Sequence, residues 1–591
     1  MVRLVNLMNI REEFFHLDLW PFSALDKKKE VVMISPCDDS DVDGLTRMYD
    51  TYEPKGAIQG LPPIDHHTCI EWIRGSLRTA LNLKAELGDA VVAHGMLFPM
   101  PDPDILEFTL FVHNRTQNRG IALLVAFLLF AAAKRLGYKK VWVFESHNNA
   151  RALHIYHEAG FLETRRERNE IELELDLAGI SDTPELSKII LPATPSAGLV
   201  QSPDYLKSQN ILSDTRSVII YSHRFEEFTI GKDHPFVTAR SRLFLDMCAR
   251  HGLLHLPGMQ ILEPVSIDEN SVLVYHDIQY YHYLVMASRG IFNPLMRSYG
   301  IGTDDNPIVR GVLEYAMLAT GASVIGADLL SSQPNIDIVF SPTGGFHHAG
   351  RNYASGFCYL NDIVIAIKYL LQHGLRVLYV DIDAHHGDGV QFAFYDEPRV
   401  LNISVHESAR TLFPWNSGFE NELGEGPGYG YNVNVPLAPN TEDEIYRDVF
   451  HRIVLPLADA YRHDICVLAA GVDTMYTDFM THLSLTNNVY AEVIREIRQR
   501  SPKMLLLGAG GYNPLNIARD WTLAWAVLHD AEPEGDYFGQ MGGRAAAAID
   551  GASLRDPYPF VSPTKIAEAR AEADRVISYL EKQVFAVHGL R

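Results

Sequence analysis

Six short apolar runs constrain this chain more than any other feature: Val218–Tyr221, Ile336–Phe340, Val377–Val380, Val400–Ser404, Ile465–Ala469 and Met504–Leu507. Each is only four or five residues long and shows little polar alternation, the pattern of a strand covered on both faces. Helical segments separate several of them, and strands alternating with helices predict a parallel α/β sheet. From about Glu30 to Leu175 the pattern is different. Strands at Val31–Ile34, Ala90–Leu97, Leu106–Val112, Lys140–Phe144 and Ile171–Leu175 mix with helices near Asp41–Tyr52, Ile121–Gly137 and Ala150–Ala159, which predicts a separate, mixed α+β domain. Between the two lies a stretch rich in Pro, Ser, Asp and Gly.

The expected organisation is therefore an N-terminal extension (1–29), a first domain (30–176), a linker (177–215) and a larger second domain (216–591) ending in a surface helix at Lys565–Gln583. A chain of 591 residues supports that many units, each with its own core. The charge balance excludes a general nucleic-acid binder: 51 basic against 74 acidic side chains leave a net charge of −23. Five cysteines far apart, with no CxxC pair, fit neither a disulfide framework nor a cysteine zinc knuckle, and fit a reducing compartment. The apolar run Ile121–Ala133, closed by Lys134-Arg135, is too short to span a bilayer and reads as a buried helix. With no signal-peptide pattern at the start, the expectation is a cytoplasmic protein with no membrane partner.

The strongest chemical signal follows Val377–Val380: Asp381-Ile-Asp383-Ala-His385-His386-Gly387-Asp388-Gly389. In extended backbone Asp381, Asp383 and His385 share a face, since side chains repeat every two residues. Ile465–Ala469 runs into Ala470-Gly471-Val472-Asp473, Ile336–Phe340 into Ser341-Pro-Thr-Gly-Gly-Phe-His347-His348, and Met504–Leu507 into Gly508-Ala-Gly-Gly511-Tyr512. One histidine and two carboxylates with an open position form a catalytic metal set, and paired histidines beside it can divide acid and base roles. A Tyr on a glycine-rich turn can donate to a developing oxyanion. Taken singly, an Asp-x-Asp-x-His strand end is equally a loop cap or a phosphate-handling acid pair. Four such clusters at the C-terminal ends of strands, where open α/β sheets bind ligands, favour one active site.

With Gly300-Ile-Gly-Thr-Asp-Asp305-Asn-Pro307, Gly345-Phe-His-His-Ala349 and Gly356-Phe-Cys-Tyr-Leu-Asn-Asp362 in the same order, the region from Val218 to Asp530 resembles the zinc-dependent histone deacetylase superfamily of arginase-like fold, most closely its bacterial acetoin-utilisation branch. The resemblance implies Asp383, His385 and Asp473 as ligands of a catalytic zinc (or iron), His348 as general base and His347 as its acid or electrostatic partner. It further implies Asp381 orienting His347, Asp388 orienting His348, and Tyr512 polarising the acyl carbonyl. Gly356, Phe357 and Phe413 would line the acyl-lysine tunnel, and Asp305 would bind substrate backbone at its rim. A potassium ion would be held by backbone carbonyls of Asp381, Asp383, His385 and Ser404 with the Asp381 side chain. The segment before the histidines departs from the usual Arg-Pro-Pro-Gly entry, and Val472 stands where relatives often carry Phe. Met480 stands where some relatives carry an acidic polyamine gatekeeper, which favours acyl-lysine over polyamine.

In the first domain Gln117-Asn118-Arg119-Gly120-Ile121-Ala122 opens an apolar helix, and a glycine turn there aims backbone N–H groups at an anion. Alone it is equally an ordinary strand-to-helix turn. With Asn149-Ala-Arg-Ala152-Leu-His-Ile-Tyr156-His-Glu-Ala-Gly160-Phe161 after the next strand, it resembles the GNAT acetyltransferase family. That resemblance implies acetyl-CoA pyrophosphate on residues 117–122, Asn149 on the pantetheine arm, Tyr156 as proton donor to the thiolate and Glu107 as candidate base. His66-His67 lacks a third ligand nearby and is expected in a loop or core role. The expected protein is thus a deacetylase acting on acetylated protein, peptide or a small N-acetyl amide, fused to an acetyl-CoA-binding acetyltransferase domain, with a homo-oligomer left open. The competing reading is an acetylpolyamine or small-metabolite amidohydrolase whose GNAT domain serves only as sensor or scaffold.

Overall fold

The computed structural model describes residues 10–533 and 554–591, apart from 29, 54, 56–60, 147–148, 168–169, 182–199, 201–210 and 232–233. Most of the expected linker lies outside the described residues. The chain divides into two compact units: Met1–Ser196 with Ile278–Gly302, and Ala197–Asp277 with Thr303–Arg591.

The first unit is built on a mixed sheet of eight described strands: β1 (Phe22–Leu25), β2 (Val31–Pro36), β3 (Leu81–Leu87), β4 (Ala90–Pro99), β5 (Ile105–Val112), β6 (Lys140–Ser146), β7 (Leu162–Glu167) and β8 (Glu170–Asp176), in the order β1-β2-β3-β4-β5-β6-β8-β7. β1 comes from the stretch ahead of residue 30, so the sheet begins before the expected boundary. It is anchored by residues far along the chain: Leu25 N–H donates to His282 Nε2 at 3.0 Å and Asn293 Nδ2 donates to Ser23 O at 3.0 Å. β5 and β6 pair in parallel, but only over Ile105–Glu107 against Lys140–Trp142, and beyond that register they part. Helix α1 (Ile121–Arg135) is buried along most of its length, as its unbroken apolar run requires.

A polar chain crosses the core of this unit. Tyr49 Oη lies 2.9 Å from His94 Nδ1, and His94 Nε2 lies 3.0 Å from Asn82 Oδ1. Asn82 Nδ2 donates to Ser76 O and Ala80 O, so its oxygen is the acceptor and His94 carries its proton on Nε2. Burial drives His94 down to about 3 from an ordinary value of 6.5. A depressed histidine contributes stability that is complete above pH 6.5 and is lost as pH falls toward 3. At pH 5 that loss is about 2 kcal/mol. Denaturation of wild type and His94→Gln at pH 7 and pH 5 checks this: the stability difference between the two pH values shrinks by about 2 kcal/mol in the variant. An unchanged difference would contradict it.

The second unit carries eight described parallel strands: β9 (Ser217–Ile220), β10 (Met259–Leu262), β11 (Ile338–Ser341), β12 (Val377–Asp381), β13 (Val400–Glu407), β14 (Asn432–Leu437), β15 (Ile465–Ala469) and β16 (Met504–Leu507), in the order β10-β9-β11-β16-β15-β12-β13-β14. The central strands are buried at every position, which explains their continuous apolar sequence. Register lines up the strand ends: Ser341 pairs with Leu507, Leu507 with Ala469, Ala469 with Asp381, and Asp381 with Ser404. The polar segments that follow these residues therefore leave the sheet at one level, side by side.

Helix α2 (Val312–Ser332) is apolar and long enough to cross a bilayer by length and composition, and 89% of its apolar window is buried in the protein. Helix α3 (Pro563–Val584) corrects the expectation of a surface helix. Ala569, Ala573, Val576, Ile577, Leu580 and Val584 bury a stripe at helical spacing and join the main core cluster. The charged residues between them masked that stripe in the sequence.

Candidate active site

Three side chains converge beyond the ends of β12 and β15. His385 Nδ1 lies 3.1 Å from Asp383 Oδ1 and 3.0 Å from Asp473 Oδ2, and all three residues are buried. Their ligand atoms lie within 4.8 Å of one another. Burial pulls His385 down, but the two carboxylates outweigh it and raise it to about 10. Asp473 is pushed up to about 7 by burial and by the charge of Asp383, whereas His347 and His385 overcome burial to hold Asp383 low. Two buried carboxylates and an imidazole converging at 3 Å need a positive charge between them, and an N,O,O donor set suits a small divalent cation. The surrounding backbone leaves room for little else. A Cβ on Gly510 would stand 2.2 Å from Asp473 Oδ2 and 2.4 Å from Asp383 Oδ2. A second carboxylate–histidine group, His451 with Glu492 and Glu496, lies at the surface, and Arg447 already holds Glu492 through bonds of 2.8 and 2.9 Å.

Beside the cluster stand the paired histidines. His347 Nδ1 is 2.8 Å from Asp381 Oδ2, His348 Nδ1 is 2.8 Å from Asp388 Oδ1, and the two Nε2 atoms are 3.0 Å apart. Each imidazole is thus oriented through its far nitrogen by a carboxylate. Burial lowers His347, yet Asp381 and Asp383 raise it to about 9. Burial and the neighbouring His347 charge keep His348 well below its ordinary value. The charges around the pair thus favour a cation on His347 over one on His348. The turn preceding them is fixed by Asp362, which is fully buried and accepts from Gly345 N at 2.9 Å and Phe346 N at 2.7 Å.

Tyr512 completes the group. Its ring centroid is 6.2 Å from that of His385 and 5.8 Å from that of Phe357. Burial and the charges of Asp473 and Asp383 hold its hydroxyl far above the usual tyrosine value, so it is a donor at any working pH. The Phe413 ring packs on His348 with centroids 4.9 Å apart, and the Phe357 ring on His234 at 4.7 Å. Gly356 lies where a Cβ would come within 2.4 Å of the His348 ring. Asp305 is exposed, with its carbonyl 3.2 Å from His234 Nε2, and Met480 is half-buried. A cavity lined by His347, His348, Gly356, Phe357 and Tyr512 continues past the histidines to Arg240.

Sequence reasoning missed Arg240. Its guanidinium is buried over Phe236 and Trp521, at 4.9 and 4.8 Å, and donates to Gly510 O at 3.1 Å. The local sequence Ala239-Arg240-Ser-Arg242 gives no sign that one arginine is inside and its neighbour outside.

In the first unit, Asn118 and Gly120 take left-handed conformations (φ +63° and +86°), which turn the chain into helix α1 at residues 117–122. The first N–H groups of a helix have no partner within it, so backbone at Gly120, Ile121 and Ala122 suits an anion. The Arg119 side chain is turned away to Asp26 and Glu30, with which it forms ion pairs. Gln117 is half-buried. Asn149 caps the helix α4 (Ala150–Glu158) by accepting from Ala152 N at 3.3 Å. Tyr156 is buried among Phe108 and Phe161, at 6.3 and 5.5 Å. Glu107 is half-buried, and burial raises its carboxyl. Because Phe108 faces Tyr156, its strand neighbour Glu107 points to the other face of β5, and the structure does not bring those two together. His66 and His67 are exposed at a helix start, His66 Nδ1 lying 2.8 Å from Asp50, so they are not core residues.

Comparison with known proteins adds to this geometry. Residues 234–528 match the histone deacetylase domain, and residues 45–161 match the acetyltransferase (GNAT) family. The chain is 35% identical over 325 residues to the acetoin utilization protein AcuC of Bacillus subtilis, covering 54% of this chain and 83% of that protein. It is 35% identical over 341 residues to histone deacetylase B of Dictyostelium discoideum, covering 56% and 80%. Human histone deacetylase 1 is 35% identical over 320 residues, covering 53% and 65%. The crystal structure of a histone deacetylase homolog complexed with SAHA superimposes with a TM-score of 0.53 at 26% identity, covering 62% of this chain and all of that one.

Proposed function

Since the chain belongs to the histone deacetylase family and carries an acetyltransferase (GNAT) domain ahead of its deacetylase domain, we propose that it hydrolyses acyl-lysine amides in proteins or peptides. The observation that carries the reading is the juxtaposition of a buried Asp383–His385–Asp473 cluster with two carboxylate-oriented histidines and a buried tyrosine donor. Phe357, which lines the cavity, and Phe413, packed on His348, would wall a passage for the aliphatic stem of a lysine, and the exposed Asp305 would accept from backbone N–H groups of the substrate.

Asp383, His385 and Asp473 would hold a divalent cation, zinc in this reading. Such a cation supplies Lewis-acid polarisation of the acyl carbonyl and makes water more acidic. The protein's own groups divide the proton work. Neutral His348, its Nδ1–H held by Asp388, takes a proton from the attacking water at Nε2. Cationic His347, held by Asp381, gives a proton to the departing lysine amine. Tyr512 donates its O–H to the oxyanion that forms as the carbonyl is attacked. Asp381 and Ser404, register partners on β12 and β13, belong to the set that would hold a structural potassium.

The test is acetate release from an acetyl-lysine peptide, with and without chelation and metal restoration. Activity that disappears on chelation and returns with zinc supports the reading. Turnover confined to acetylpolyamine or a small N-acetyl metabolite would replace it. For the first domain we propose acetyl-CoA binding on residues 117–122 through backbone groups, read by calorimetry on the whole protein. An absence of heat on titration with acetyl-CoA would remove that function.

A further inference from the structure

We propose that Asp478 is a positioning residue that sets the place of the Tyr512 hydroxyl, an inference that rests on the acyl-lysine reading above. Tyr512 sits in the stretch between β16 and the helix α5 (Pro514–Leu528), where no strand or helix bond fixes its backbone. The turn before it is itself tied down: Ala509 and Gly511 have φ of +55° and +134°, Ala509 N donates to Gly344 O at 3.0 Å, and Gly510 between them is bonded to Asp383, Arg240 and Val472. A group from another loop holds the backbone of Tyr512 itself. Asp478, 7% exposed and five residues beyond Asp473, does so: its Oδ2 accepts from Tyr512 N at 2.8 Å and from Asn513 N at 3.1 Å.

The other oxygen fixes the carboxylate itself. Asp478 Oδ1 accepts from Met480 N at 3.0 Å, so the side chain closes its own loop before reaching across. The same two segments are laced again on either side. Asn513 Nδ2 donates to Thr477 O at 3.1 Å, and Thr477 Oγ1 donates to Asn516 Oδ1 at 2.8 Å. Thr481 Oγ1 donates to the carbonyl of Asp473. The loop 477–481 thus joins a residue of the metal-binding cluster to the oxyanion donor, and Asp478 supplies the two bonds that end on the donor's own turn. Only a carboxylate can do this, since it offers acceptor sites on both oxygens and needs none of them as donors. Its hydrogen bonds all go to backbone N–H groups, two of them on the Tyr512 turn, while its charge also reaches Asp473 and His385, which is why bound metal is measured beside kcat.

A double-mutant cycle isolates that effect. Kinetics on an acetyl-lysine peptide are compared for wild type, Asp478→Ala, Tyr512→Phe and the double variant, with bound metal and thermal stability measured on each. Tyr512→Phe lowers kcat by about 10²–10³-fold, as loss of one oxyanion donor does. Asp478→Ala lowers kcat by roughly 10–100-fold, the scale of a misplacement near 1 Å, with KM and bound metal close to wild type. The double variant has the kcat of Tyr512→Phe alone, because the carboxylate has nothing left to position. Asp478→Asn, which can keep two of the three bonds, falls between wild type and Asp478→Ala. Losses that multiply in the double variant, or metal lost from Asp478→Ala, would overturn the proposal. A crystal structure of Asp478→Ala decides the point without reference to turnover: a displaced Tyr512 supports it and an unmoved one defeats it. If wild type fails to hydrolyse acyl-lysine peptides, the substrate reading falls, while the structural comparison still decides the role of Asp478.

Discussion

With alanine at position 510, the protein is expected to keep its fold, to lose its divalent metal and to release no acetate from acetyl-lysine. Space at position 510 is what runs out. The added methyl carbon would stand 2.2 Å from Asp473 Oδ2 and 2.4 Å from Asp383 Oδ2, distances at which something must move. What moves is the ligand set, because Gly510 is held by bonds at both of its polar atoms. Gly510 N donates to Asp383 Oδ2 at 2.5 Å, and Gly510 O accepts from Arg240 Nη2 and from Val472 N at 3.1 and 3.0 Å. Outer-shell changes to a metal site cost 10–100-fold in affinity, and displacing two ligands costs more. Metal analysis of purified Gly510→Ala beside wild type, with circular dichroism to confirm the fold, is the check. A full complement of metal with normal turnover would show that the turn yields where the geometry says it cannot.

His348→Ala should leave metal content unchanged and lower kcat by about 10²–10⁴-fold, the range for removal of a general base. In the proposed mechanism the base is His348 rather than His347, and the charges around the pair support that choice. Both imidazoles are buried and each faces a carboxylate, but Asp381 and Asp383 together raise His347 to about 9, whereas burial and the charges of His347 and His385 outweigh Asp383 and keep His348 low. A neutral imidazole can take a proton and a cationic one can give it. His347→Ala should therefore do most harm with substrates whose amine leaves with difficulty. Measuring both variants on an acetyl-lysine peptide and on an activated anilide separates the roles. Equal losses on both substrates for His347→Ala would remove the acid assignment.

The parallel sheet and its polar strand ends were legible in the sequence because burial on both faces writes itself as unbroken apolar runs. Asp381, Asp383, His385 and Asp473 follow two such runs within a few residues, so alternation alone brings them toward one point. What stayed illegible depends on distant partners. Arg240 is internal only because Phe236 and Trp521, the latter 281 positions further along, close over it. Asp478 looks like any acidic loop residue until the Tyr512 turn is folded against it. The apolar stripe of α3 was hidden by the charges flanking it, and the acidic partners of Arg119 lie 93 and 89 residues before it.

The path of the chain between its compact units has a consequence for modularity. Ile278–Gly302 falls within the span that matches the deacetylase domain, yet it belongs to the unit formed by the first 196 residues. There His282 accepts from Leu25 N–H and Asn293 donates to Ser23 O, with both side chains buried. Separating the two family domains at the linker would thus take away the partners of interior residues in the deacetylase portion. The two family domains are, in this chain, joined as cloth is, by a thread that passes through both pieces more than once.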